Sequence, residues 1–80
     1  MTADRLEIYR DEAGKWRFRR RARNGEIGNP SQGYSRRYTA LVMAVKRHPD
    51  VYRENVVDLT RGGLRVQSKA LRWLRSREEG

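Results

Sequence analysis

Hydrophobic and charged residues alternate between positions 16 and 23 in the manner typical of a β-strand. Trp16, Phe18 and Ala22 occupy even positions, and arginines occupy positions 17, 19, 21 and 23. Because successive side chains of a strand point to opposite faces of a sheet, the pattern predicts an apolar inner face and a guanidinium-lined outer face. Arg20 interrupts the inner pattern, so we expect it to reach the sheet margin or to pair with an acid such as Asp4.

A turn containing Gly14 separates this strand from an earlier one, whose apolar side chains also occupy even positions. Glycine adopts the positive φ that tight turns require. Pairing of the two strands places Ile8 near Phe18 on the inner face. It also places Glu7 and Tyr9 among the outer arginines. Since a slip of one residue would invert the pattern, the matching phases predict a hairpin.

A second turn signal follows at Asn24 and Gly25, because an Asn-Gly pair favours a type I′ hairpin turn. Such a turn places Ala22 opposite Ile27 in a short third strand. That strand is weak, since Pro30 lacks a backbone donor and the residues around it have low β propensity.

A helix is predicted from the N-cap Ser35 to about Arg47, and Pro49 ends it. Its apolar residues recur at the spacing of one helix face. They are Tyr38, Leu41, Val42 and Val45, flanked by Ala40 and Ala44. We expect the aromatic residues Trp16, Phe18 and Tyr38 to lie in the core.

These elements predict an α+β fold, in which a three-stranded antiparallel meander packs on one helix within residues 1–50. We expect residues 51–80 to form a basic C-terminal extension with a second helix at about 67–78. Within that extension, residues 56–59 fit either a fourth strand or a packed extended segment.

Composition narrows the classes of function. The 80 residues suit one small domain, and 19 Lys and Arg against 10 Asp and Glu give a net charge of +9. Absence of cysteine excludes disulfides, thiolate nucleophiles and cysteine-ligated zinc. With His48 as the single histidine and no converging carboxylates, we expect no catalytic site, metal site or cofactor. No signal peptide or membrane-length apolar run is evident, so we expect a cytoplasmic protein.

The basic excess is clustered, since residues 15–23 contain six basic residues and no acid. Like charges in one row repel, and an anionic partner would account for them. Arginine rather than lysine favours phosphate or planar acceptors. We therefore expect a nucleic-acid surface, with duplex DNA favoured and no small-molecule substrate. The candidate residues are Tyr9, Lys15, Arg17, Arg19, Arg21, Arg23, Arg36 and Arg37.

Each part of this hypothesis has an alternative. The arginines also fit a solvated strand face that Glu7 and Glu26 partly neutralise. Tyr9 could stack on a base or fill space among arginine stems. Arg36 and Arg37 oppose the helix macrodipole, which a bound anion would relieve. The competing function is a protein-interaction module that docks an acidic protein or a second copy of the chain.

Residues from about 6 to 47 resemble the YegP-like family of small proteins. The matching motifs are Glu7-Ile8-Tyr9-Arg10-Asp11, Gly14, Trp16-Arg17-Phe18-Arg19, Asn24-Gly25-Glu26-Ile27 and Gly33-Tyr34-Ser35. The resemblance implies a β-β-β-α unit that occurs in tandem or as two paired chains. Because one unit is visible here, it implies a homodimer. It implies no established activity. Arg20 and the run from Gly28 to Pro30 depart from the family pattern.

A looser likeness concerns architecture. The arm-site-binding domains of tyrosine integrases and the plant ethylene-response-factor domains are also three-stranded sheets backed by a helix. They lay the outer face of the sheet in the DNA major groove, and residues 14–21 look like their second strand. Since fold does not imply function, this analogy adds a hypothesis only. We expect a small, non-enzymatic accessory protein, for example one encoded by a phage.

Overall fold

The computed structural model describes residues 3–66 of the chain, apart from the side chain at position 53. Four strands and one α-helix follow one another in the order β1 (Arg5–Arg10), β2 (Trp16–Arg21), α1 (Arg37–Arg47), β3 (Val56–Asp58) and β4 (Leu64–Arg65). Short 3-10 turns at Arg53–Asn55 and Leu59–Arg61 flank β3. The strands form a mixed sheet in the order β2-β1-β3-β4. The α+β class predicted from the sequence is therefore confirmed.

The predicted hairpin is present in the predicted register. β1 and β2 are antiparallel, with Ile8 opposite Phe18 and Glu7 opposite Arg19. Gly14 in the connecting turn has a φ of 79°, in the left-handed region that favours glycine. The even-numbered side chains of both strands thus share one face and the odd-numbered ones share the other.

The third strand of the predicted antiparallel meander is not confirmed. Residues 26–34 instead run along β2 and make two isolated bridges, Trp16 with Tyr34 and Arg21 with Ile27. Between them, the Ser31 backbone N–H donates to the Phe18 carbonyl oxygen over 2.9 Å. A continuous ladder does not form here, because Pro30 has no donor and its neighbours have little tendency to form strands.

The turn between β2 and this segment also differs from the predicted type I′ turn. Gly25 has a φ of 93°, and no non-glycine residue of the described chain has a positive φ. The Gly25 backbone N–H donates to the Ala22 carbonyl oxygen over 2.9 Å. A type I turn followed by a left-handed glycine needs only one residue with positive φ. This turn makes the loop one residue longer than a type I′ turn, so Ile27 lies opposite Arg21 and not opposite Ala22. The Ile27 side chain is 48% exposed.

The segment after Pro49 completes the sheet. β3 lies parallel to β1, and β4 lies antiparallel to β3. A parallel pair requires a crossover connection, which α1 provides. Residues 56–58 are therefore a strand, one of the two alternatives left open by the sequence. The helix predicted at 67–78 lies outside the described residues.

The core lies between α1 and the inner face of the sheet. Ala40, Leu41 and Ala44 of the helix are buried, as are the inner side chains Leu6, Ile8, Phe18 and Val56. The core prediction for Tyr38 is wrong, since that side chain is 45% exposed. The two alanines let the helix backbone lie close to the sheet, and this contact rotates Tyr38 away from the core.

The helix also begins later than its predicted N-cap at Ser35. Tyr34 still exchanges two backbone hydrogen bonds of 2.7 Å with Trp16, which keeps this part of the chain extended. The N-cap position is Arg36, which makes no side-chain capping bond. The end of the helix at Arg47 agrees with the prediction.

Candidate functional site

The outer face of the sheet collects arginines from three strands. Across its middle, Glu7 lies between Arg19 and Val57, and Val57 lies opposite Arg65. Residues opposite one another in a sheet point to the same face. In the adjacent rows, Arg21 is opposite Arg5 and Arg17 is opposite Tyr9. We call the resulting set, Arg5, Arg17, Arg19, Arg21 and Arg65, the arginine face.

Two members of the arginine face were not among the candidates predicted from the sequence. Arg5 shares the odd-numbered phase of β1, so the period-two pattern could have identified it. Arg65 could not have been identified in this way, because its position depends on the pairing of β4 with β3 and of β3 with β1.

Glu7 is the buried centre of the arginine face, with its side chain 3% exposed. Its carboxylate accepts hydrogen bonds from Arg19 Nε over 2.8 Å and Arg21 Nε over 2.9 Å. Arg5 Nε lies 3.7 Å away. Burial alone would raise the pKa of Glu7, but the bonds from Arg21 and Arg19 outweigh it and hold the pKa below its ordinary value. Glu7 is therefore ionised near neutral pH and orders the guanidinium groups around it.

Arg17 has partners of its own at the other end of the face. Its Nε donates to Asp11 Oδ2 over 2.6 Å and its Nη1 donates to the Ser31 carbonyl oxygen over 3.0 Å. The hydrogen bond from Arg17 is the main cause that lowers the pKa of Asp11. Asp11 is thus a second carboxylate that holds an outer arginine in place.

Tyr9 lies beneath the arginine stems. The guanidinium carbon of Arg19 is 5.0 Å from the centre of the Tyr9 ring, within the range of a cation–π contact. Tyr9 therefore fills space beside Arg19, in agreement with one of the two roles predicted for it.

Lys15 and Arg23 lie in the turns at the two ends of β2. The Lys15 backbone N–H donates to Asp11 Oδ1 over 2.9 Å, and the Arg23 backbone N–H donates to Asp4 Oδ1 over 3.2 Å. Both residues are exposed. Because β2 ends at Arg21, Arg23 does not continue the strand row as the alternation suggested.

The remaining candidates, Arg36 and Arg37, lie away from the arginine face. Arg37 Nε donates over 2.7 Å to Asp58 Oδ2, and Asp58 is in register with Ile8 on the inner side of the sheet. Burial would raise the pKa of Asp58, but hydrogen bonds from Thr60 and Arg37 hold it below its ordinary value. The negative charge near the start of α1 is therefore supplied by Asp58 of the chain itself.

Arg20 has the partner predicted from the sequence. Its Nε donates to Asp4 Oδ2 over 2.8 Å, and its Nη2 donates to Asp50 Oδ2 over the same distance. His48 Nδ1 lies 3.3 Å from Arg20 Nη1, and the His48 ring meets Phe18 edge to face. Burial and then the charge of Arg20 lower the pKa of His48. This cluster joins the N-terminal residues, β2 and the end of α1.

The described residues offer neither a metal site nor a membrane-spanning helix. Within positions 3–66, no group of three or more His, Asp or Glu side chains is arranged to hold a metal ion. No helix in that part of the chain has the length and apolar character needed to cross a membrane.

Comparisons with known proteins place the sequence in a family. Residues 11–42 match the family model described as a domain of unknown function, DUF1508. A UPF0339 protein of Methanosarcina acetivorans is 63% identical over 30 residues, which cover 38% of this chain and 52% of the relative. A UPF0339 protein of Agrobacterium fabrum is 41% identical over 46 residues, which cover 55% of this chain and 74% of the relative.

A second UPF0339 protein of Agrobacterium fabrum is 46% identical over 37 residues, covering 46% of this chain and 60% of the relative. The matched region thus spans about half of the first relative and three quarters of the second. No solved structure matches the chain. These matches confirm the resemblance to small uncharacterised proteins that the sequence motifs indicated, and the chain belongs to the family of UPF0339 proteins, with residues 11–42 matching the DUF1508 domain.

Proposed function

We propose that this protein is a non-enzymatic nucleic-acid-binding protein and that its arginine face contacts the phosphates of duplex DNA. The observation that carries the proposal is the balance of charge on that face. Five guanidinium groups lie there with the two carboxylates Glu7 and Asp11, so the surplus among these groups is 5 − 2 = +3. If the arginine face were only solvated, Glu7 and Asp11 would explain part of its charge. The surplus of three among these groups would have no explanation.

The ion pairs favour binding because they fix the orientation of the guanidinium groups. Arg17, Arg19 and Arg21 each use Nε for an internal carboxylate. A guanidinium carries five N–H donors, so its terminal nitrogens can still meet a phosphate oxygen. These three side chains remain 34%, 27% and 28% exposed. Pre-ordered arginines lose less conformational entropy when they bind.

The expected signature is a moderate dependence on salt. Neutralising Z phosphates gives a slope of about −0.9Z in log K against log salt. If the surplus of three charges sets Z, the slope is about −3. A homodimer, which the family resemblance implied, would bring two such faces together and steepen the slope further.

The protein-interaction module is the second candidate, and the exposed Ile27 beside Arg21 favours it. An apolar side chain among arginines suits a protein partner better than a phosphate backbone. A titration with duplex DNA near physiological salt distinguishes the two candidate functions. The module predicts no binding tighter than about 10⁻⁴ M, the weak end of non-specific affinity.

The direct test replaces Arg17 and Arg19 together with glutamine and measures duplex binding by fluorescence anisotropy at several salt concentrations. Arg21 and Arg5 still accompany Glu7 in this variant, so the fold should persist. We expect the salt slope to flatten by about 2 because two phosphate contacts are lost.

The matched control replaces Arg47 and Arg61, which removes the same charge elsewhere. Arg47 lies in the last turn of α1, and Arg61 lies 4.0 Å from Asp58 on the inner side of the sheet. We expect this control to keep the original slope. Equal slopes for the two double variants would show that net charge, and not the arginine face, determines binding.

A further inference from the structure

A cleft of about 450 Å³ opens at the end of the sheet where β1 begins and β2 ends. Four of its described lining residues are arginines, namely Arg5, Arg21, Arg23 and Arg65, and none of the described lining residues is acidic. Its volume falls within the range of small-ligand sites, about 300 to 1,000 Å³. The cleft is therefore a concave basic site and not only part of a charged surface.

Glu7, which is not among the described lining residues, lies beside the guanidinium groups of Arg5 and Arg21. Arg21 donates its Nε to Glu7 over 2.9 Å and its Nη1 to the Gly25 carbonyl oxygen over 3.3 Å. These bonds use two of its five donors. Arg5 Nε lies 3.7 Å from the same oxygen of Glu7. One wall of the cleft is thus ordered before any ligand arrives.

The other two arginines come from separate parts of the chain. Arg23 lies in the turn after β2, and Arg65 lies in β4, across β3 from Glu7. Both are exposed. The nearby carboxylate of Asp4 directs Oδ2 to Arg20 and uses Oδ1 for the Arg23 backbone N–H. Within residues 3–66, the nearby carboxylates pair with Arg17, Arg19, Arg20 and Arg21, and no ion pair there involves Arg23 or Arg65.

We infer that this cleft is a binding site for one tetrahedral phosphate group. Guanidinium groups bind phosphate through paired, charge-assisted hydrogen bonds, and a concave basic site concentrates anions. The cleft shares Arg5, Arg21 and Arg65 with the arginine face, so the inference rests on the proposed function where the phosphate belongs to nucleic acid. The same chemistry would also accept a free phosphate ester.

The first experiment tests the site itself. The full chain is titrated with inorganic phosphate, and separately with acetate at equal ionic strength, while the arginine Nε–Hε signals are followed by NMR. We expect saturable shifts at the four cleft arginines and no saturable shift at Arg47. Replacing Arg23 and Arg65 with glutamine should weaken phosphate affinity by about tenfold or more. The control pair, Arg47 and Arg61, should leave it unchanged.

Two results would overturn the inference. One is an equal response to acetate and phosphate, which would show that the cleft does not recognise the tetrahedral group. The other is an equal loss of affinity in the two double variants, which would show only an effect of net charge. Both substituted cleft residues are exposed, so unfolding of the variant is not expected to obscure the result.

The second experiment identifies the source of the phosphate with a DNA duplex. If the cleft holds a backbone phosphate, replacing Arg23 and Arg65 flattens the salt slope by about 2. If replacing Arg23 and Arg65 abolishes phosphate binding but leaves duplex binding unchanged, the cleft is a phosphate site whose ligand is a free phosphate ester. If the unsubstituted chain binds phosphate but no duplex, the proposed function fails and the phosphate site remains.

Discussion

Substitution of Glu7 by glutamine tests how the arginine face is organised. Glu7 is 3% exposed and is the common acceptor for Arg19 and Arg21. Glutamine has nearly the same shape and keeps one acceptor oxygen, but it removes the negative charge. Three neighbouring guanidinium groups would then repel one another without a counter-ion. We expect the variant to fold and to be less stable.

The magnitude follows from the two hydrogen bonds. A hydrogen bond to a charged group contributes about 1.5 to 3 kcal/mol, against about 0.5 to 1.5 kcal/mol for a neutral one. Converting two bonds would therefore lower stability by about 2 to 3 kcal/mol. Because the donor side chains are 27% and 28% exposed and stay partly hydrated, we take the lower end, about 2 kcal/mol. In a domain of this size that lowers Tm by roughly 8 to 16 °C.

The assay is urea unfolding followed by circular dichroism, with Glu12→Gln as the matched control. Glu12 is exposed in the turn between β1 and β2, and its substitution removes the same charge. We expect the control to change stability by less than about 0.5 kcal/mol. If the two variants lose the same stability, Glu7 does not organise the arginines and the argument from its burial fails.

The same variant also informs the proposed function. Removing the internal anion releases Arg19 and Arg21 toward an external one, so duplex binding should show a salt slope steeper by about 1. Glu12→Gln should not change the slope. An unchanged slope in Glu7→Gln would contradict phosphate contact by these two arginines.

Two further predictions concern stability. The pKa values of His48, Glu7 and Asp58 are all lowered in the folded chain. The unfolded chain therefore takes up protons at these groups at a higher pH, so acid destabilises the fold. Urea midpoints should fall as pH drops below about 6.5, through His48, and fall again below about pH 4.5, through the carboxylates; a midpoint that rises on acidification would contradict this. Asp58→Asn should lower stability by about 3 kcal/mol, the lower end for breaking a buried ion pair, because the Arg37 side chain is 30% exposed. Asp50→Asn, at an exposed carboxylate, should lower it by less than about 1 kcal/mol; equal losses would refute the distinction.

Several features of the fold could be predicted because they are local. The period-two alternation in β1 and β2 determines which side chains face inward, and with Gly14 it determines the register that places Ile8 opposite Phe18. The end of α1 was likewise predictable, because Pro49 and the basic last turn act within a few residues. Pairing of Arg20 with Asp4 was one of the two alternatives that its inward phase left open.

The errors arose where two local solutions compete. Asn24 and Gly25 favour a two-residue turn, but the chain uses a three-residue connection in which Gly25 alone has positive φ. That choice shifts Ile27 by one position and exposes it. Helix periodicity likewise grouped Tyr38 with Leu41, and it could not show that the two alanines would form the closest contact with the sheet.

By itself, the sequence determined the hairpin, its apolar inner face and the row of arginines on its outer face, because alternation along a strand needs no distant partner. Only the tertiary structure decided that β3 pairs parallel to β1 and that Arg65 of β4 thereby joins the arginine face. The physical reason is that these features depend on contacts between residues about 50 positions apart. No local pattern of polar and apolar side chains carries that information.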